Sequence, residues 1–191
     1  MKSALLFLIV LVLLGFIVGC NYDNPASTVM DNQGSNNEMI TDDPTPDLDT
    51  LYRPLLRSNY TSIGTVKIYN NNQFIYFMFT MNPGYKLAKM KMHANSSIWS
   101  FPLTGNCPNL NAFRFQVNTF PPNTTSYLYQ VSTTSILATN AHMYAAIYVE
   151  AESTANEPDC ITAWAKGTRF PGCSGDGMHF RKWIPEIKVL K

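Results

Sequence analysis

From residue 58 onward the alternation of apolar and polar positions has a period of two, the signature of β-strands whose side chains point to opposite faces. Thr65-Val66-Lys67-Ile68-Tyr69 alternates, Asn70-Asn71-Asn72-Gln73 is a turn cluster, and Phe74 to Met81 is a strand apolar on both faces. That pattern predicts a hairpin whose second strand is central. Asn82-Pro83-Gly84 is a second turn. Tyr85 to Ala94 alternates again, with Leu87, Met90 and Met92 against Lys89, Lys91 and His93, and the slip of phase near Ala88 predicts a β-bulge. Further strands are expected at 113–117, 127–131, 143–149, 161–165, 178–183 and 187–190, with 133–141 as a loop or a single helical turn. Eight to nine short strands separated by Pro, Gly and Asn turns predict an all-β chain, an antiparallel β-sandwich.

The chain has 191 residues, 46% of them hydrophobic and 14% charged, and a formal net charge of +1. That near-neutrality conceals segregation. Residues 21–50 hold seven carboxylates and no Lys or Arg, whereas residues 51–191 hold thirteen basic residues against six carboxylates. No Asp or Glu occurs between Asp49 and Glu150, so the first half of the domain has no carboxylate for acid–base work. The Asn, Asp, Ser, Thr and Pro-rich stretch that begins at residue 21 holds few large apolar groups and reads as a flexible acidic tether.

Ahead of it, Lys2 precedes an apolar run from Ala4 to Val18, too short for an ordinary spanning helix and suited to a secretory signal. The run ends in Ile17-Val18-Gly19-Cys20, which resembles the lipobox of bacterial lipoproteins. The resemblance implies a signal peptide over 1–19, a lipid on Cys20, a tether over 20–54 and a folded domain over 55–191. It also implies a membrane partner through that lipid. Asn21, in place of an Asp after the Cys, favours the outer membrane or cell surface.

Thr162-Ala163-Trp164-Ala165-Lys166-Gly167-Thr168-Arg169-Phe170-Pro171-Gly172 looks like the Thr-Ala-Trp-Gly-x-Gly-Thr-Arg-Phe-x-Gly signature of secreted β-sandwich proteins common in Bacteroidetes. Gly64-Thr65-Val66 and Gly84-Tyr85-Lys86-Leu87 resemble further steps of that pattern; Ala165 departs from it, as does Ile147 where a His is expected. The resemblance implies an extracellular sandwich and no reaction.

Trp164 with its single N–H and Arg169 with its five donors suit either a structural corner or the lining of a ligand groove. Lys89 and Lys91 share a strand face, and Lys67 and Arg114 would complete a basic patch if their strands adjoin. Together with Tyr85, these are the candidate ligand-binding residues. Tyr69, Tyr76, Tyr127, Tyr129, Tyr144 and Tyr148 recur on the strands, where rings stack on sugars or fill a core. The ligand class that fits is glycan; an outer-membrane protein partner is the alternative, and nucleic acid fits poorly because no basic run exceeds two residues.

With Cys20 lipidated, Cys107, Cys160 and Cys173 remain for one disulfide. Cys160 and Cys173 bracket the signature block and are the expected pair, although Cys107 could take either partner. His93, expected to be an exposed strand residue, His142 and His179 stand apart, without metal-ligand spacing. No cofactor fingerprint and no catalytic motif occurs. A hydrolase would draw on Glu150, Glu152 or Asp176, but no constellation assembles them in sequence, so a non-catalytic binding module is the expected function.

Overall fold

The computed structural model describes residues 50–71, 73–136, 142–154 and 160–184. The expected signal peptide, Cys20 and most of the tether lie outside these residues, as does the expected strand at 187–190.

The strands are β1 (Leu51–Leu56), β2 (Ser62–Asn70), β3 (Phe74–Met81), β4 (Tyr85–Asn95), the short pair β5 (Leu103–Thr104) and β6 (Cys107–Pro108), β7 (Phe115–Val117), β8 (Ser126–Ser132), β9 (His142–Ser153), β10 (Cys160–Ala165), β11 (Thr168–Arg169) and β12 (Met178–Trp183). One helical turn, α1 (Thr133–Ile136), follows β8, within the stretch expected to hold a loop or a turn.

Hydrogen bonding runs without a break along β8-β3-β2-β1-β10-β9-β4-β7, every pair antiparallel. The all-β, antiparallel expectation holds. In place of two separate sheets, β1 joins β10, and one curled sheet wraps its concave face around the core. β9 is the hub: β4 pairs along one edge, while β10 and β12 share the other.

The period-two pattern explains the core. Val66 and Ile68 on β2, Ile75, Phe77 and Phe79 on β3, Met90 and Met92 on β4, and Met143, Ile147 and Val149 on β9 are fully buried and belong to one cluster. Ala145 and Ala151 are buried in the same cluster. The phase slip at Ala88 is a bulge: Leu87 pairs with Ala151 and Lys89 with Glu150, leaving Ala88 over.

The first strand departs from expectation. Residues 51–54 belong to the sheet, not to the tether, with Leu51, Tyr52, Arg53 and Pro54 paired to β2. Pro54, a residue that usually ends a strand, is tolerated because it stands in line with Thr65 without closing the ladder.

A second, smaller core lies on the convex face over β4, β9 and β10. Phe101, Phe113 and Phe170 pack there on Ala146, with Ile98, Leu110, Tyr144, Trp164 and Cys173 around them. The loops 96–114 and 166–177 that supply it are joined by a disulfide between Cys107 and Cys173. This corrects the expected Cys160–Cys173 pair. Cys173 lies in the aromatic layer, with Asn106, next to Cys107, against Gly172, and so meets the long loop after β4 rather than the start of β10. No described cysteine is free.

Two glycines in the signature block are required by geometry. A Cβ on Gly167 would stand 2.1 Å from the His179 carbonyl oxygen, and Gly172 has φ +73 with Asn106 against it.

Candidate ligand-binding surface

The sequence-derived candidates fall at separate places in the fold. Trp164 is half-buried in the smaller core, edge-on to Tyr148 at 5.3 Å and to Phe113 at 6.4 Å. Arg169 is exposed and ties two loops, donating to the Tyr60 hydroxyl at 2.9 Å and pairing with Asp176 at 3.3 Å. Lys89 sits opposite Glu150 and forms an ion pair of 3.1 Å, and Lys86 does the same with Glu152 at 3.2 Å. The two cross-strand pairs stitch β4 to β9 on either side of the bulge. Lys91 donates to Asn111 at 3.3 Å. Tyr85 is half-buried against the main core and stands apart from the others.

Lys89, Lys91 and Trp164 do share one convex face, around Tyr148 and Glu150. There burial, the Glu150 charge and a hydrogen bond to Glu150 push the Tyr148 phenol up to about 12. Lys67 and Arg114 do not join them as a basic patch: Lys67 lies on β2, and Arg114 donates to the Ser135 carbonyl at 2.7 Å. Nor is His93 an exposed strand residue. It lies beneath Phe101 and Phe113, ring centroids 5.0 and 5.8 Å away, with both ring nitrogens buried. Burial lowers its pKa below that of ordinary imidazole, the Arg114 charge adds to this, and the Ser100 backbone opposes it.

A different surface gathers aromatic and cationic side chains. On the convex side of β1, β2, β3 and β8, side chains fall into rungs fixed by register. One rung runs Tyr52, Lys67, Met78, Leu128, and the next runs Tyr69, Tyr76, Gln130. Four strands about 4.8 Å apart make the first rung roughly 14 Å across, the reach of a short oligosaccharide. Tyr69 and Tyr76 stack with centroids 5.0 Å apart and planes 17° from parallel. The Lys67 ammonium lies 5.3 Å from the Tyr69 ring and 6.0 Å from the Tyr52 ring, and no described carboxylate pairs with it. Asn71 donates to the Tyr76 hydroxyl at 3.0 Å, which fixes that ring. Burial, with Tyr76 beside it, raises the Tyr69 pKa, so its phenol stays a neutral hydroxyl.

Among the described residues no element covers this face: Tyr52 is 58% and Leu128 46% exposed. The two-sided apolarity of β3 thus has two causes. Ile75, Phe77, Phe79 and Met81 fill the core, while Phe74, Tyr76 and Met78 line the outer surface. Sequence reasoning missed Tyr52 because it fell within the expected tether; the signal that could have found it is the Leu51-Tyr52-Arg53 alternation before Pro54.

Among the described residues there is no helix long and apolar enough to cross a membrane and no group of three or more His, Cys, Asp or Glu able to hold a metal ion. Compared with protein-family models, with curated proteins and with solved structures, the chain finds no match in any of the three.

Proposed function

We propose that this chain is a lipid-anchored surface protein whose β domain is a non-catalytic binding module for glycans, with the convex tyrosine face as its binding surface. The observation that carries the reading is that face, left uncovered among the described residues: three tyrosine rings on one sheet, with Lys67 among them and no described carboxylate paired to it. Sugar rings pair an apolar C–H face with a rim of hydroxyls. Tyrosine answers both, with a ring for the face and a phenol for the rim. A sheet holds the rings in place before the ligand arrives, so little entropy is lost on binding. The anchor rests on the lipobox-like Ile17-Val18-Gly19-Cys20 and the acidic stretch after it.

Two measurements test the reading separately. A glycan array probed with residues 41–191, a compact unit of the chain, should return one oligosaccharide class. Binding that survives Tyr69→Ala and Tyr76→Ala together would move the site elsewhere. For the anchor, metabolic labelling with a fatty-acid analogue should mark the native chain and not Cys20→Ser.

A further inference from the structure

The loop between β4 and β7 presents an apolar surface of another kind. From Ala94 to Phe113 the chain carries no Asp, Glu, Lys, Arg or His. Within it Trp99 is 91% exposed and Leu103 45% exposed, although large apolar side chains are ordinarily covered. The loop is held firmly all the same. Phe101 and Phe113 are buried in the smaller core, and Cys107 is joined to Cys173. The Ser97 side chain accepts from the Trp99 N–H and the Asn109 side chain from the Asn111 N–H, and Asn109 donates to the Pro102 carbonyl. Trp99 is therefore displayed by a fixed scaffold.

Cations without a described acidic partner border the loop. Lys91 reaches Asn111 within it and Arg114 follows it directly, and no described carboxylate pairs with either.

We propose that the 94–113 loop is a membrane-contact element that seats Trp99 and Leu103 in the interface of an anionic bilayer, with Lys91 and Arg114 against the lipid headgroups. Tryptophan suits the headgroup boundary because its ring is apolar and its N–H finds a partner there. A loop free of charge enters that layer without desolvating an ion. Basic residues at its margins add attraction to anionic lipid, which salt weakens. The observations favour a bilayer over a protein groove because the bordering charge is of one sign and the loop contributes none of its own. The contact is independent of the tyrosine face, which belongs to other strands.

The test uses residues 41–191, which lack Cys20 and hence any lipid, with vesicles of phosphatidylglycerol and phosphatidylcholine. The unit should sediment with anionic vesicles and less with purely zwitterionic ones, and its tryptophan emission should be quenched by brominated phospholipid. Trp99→Ser should lower the vesicle partition coefficient at least tenfold and Leu103→Ser by a smaller factor, while Trp183→Ser, which changes another exposed indole, leaves it unchanged. Trp99→Phe should abolish the quenching. Failure to sediment, or sedimentation equal in wild type and Trp99→Ser, overturns the proposal. A Trp99-dependent response to soluble oligosaccharide without vesicle binding also overturns it and makes the loop a sugar contact. Glycan binding that survives Trp99→Ser leaves the tyrosine face standing whichever way the vesicles decide.

Discussion

Removing the Cys107–Cys173 staple should cost more than any other single change on the convex face. The bridge closes a sequence separation of 66. In the chain-entropy treatment a loop of that length restrains the unfolded state by about 4 kcal/mol. A urea slope of about 2 kcal/mol per molar is ordinary for a chain of this size, so Cys107→Ser with Cys173→Ser should lower the unfolding midpoint by roughly 2 M. The loss should be local before it is global. Phe101, Phe113 and Phe170 depend on two loops held together, so protease access within 96–114 should rise well below the main transition. Connectivity is read from a non-reducing tryptic digest, in which the peptide 92–114 should be joined to 170–181. A link from 115–166 to 170–181 would reinstate the Cys160–Cys173 pairing, and a midpoint shift under about 0.5 M would mean that aromatic packing alone holds the loops.

Gly167→Ala places a methyl 2.1 Å from a backbone oxygen that has no side-chain freedom, so it should destabilise by about 3 kcal/mol or more in the same urea assay, with Lys166→Ala as a silent neighbour. His93 and His179 both have lowered pKa values in the folded state because burial disfavours their charged forms. The unfolded chain therefore binds more protons just below pH 6.5, so stability should be full above that pH and decline as the pH falls toward the folded-state values. His93→Phe should flatten that decline in melting curves taken from pH 7.5 to 4.5; an unchanged profile would place its origin elsewhere. Lys89→Glu should destabilise the β4–β9 pairing, and adding Glu150→Lys should restore about 1 kcal/mol in a double-mutant cycle.

Much of the fold is legible along the chain because one face of each long strand is buried. β3 and β12 fall where the alternation puts them, and the extra residue at Ala88 shows as a break in phase. β1 is hidden because Pro54 and the polar stretch before it read as linker, although the sheet tolerates a proline there. The disulfide is illegible for a different reason. Sequence proximity favours Cys160, but the partner is chosen by which loops the aromatic layer brings together. The neighbours of the binding candidates are equally hard to read. A lysine alternating on a strand looks free until its cross-strand neighbour is known, and Lys89 faces Glu150, which is 61 positions distant. Conversely, the apolar outer positions of β3 read as core, because nothing in a single strand tells which of two apolar faces stays uncovered.

The account turns on the outer face of β1, β2, β3 and β8. A sugar ring that shields about 50 Å² of tyrosine ring gains roughly 1.3 kcal/mol, close to tenfold in affinity. The decisive measurement is a calorimetric titration of the oligosaccharide class selected on the array, comparing wild type with Tyr69→Ala, Tyr76→Ala and Lys67→Gln at matched thermal stability. Dissociation constants about tenfold weaker for each tyrosine variant, with Trp164→Phe unchanged, are the predicted result. Wild-type affinity in both tyrosine variants, or loss of binding in Trp164→Phe alone, would contradict the account and return the site to the signature block.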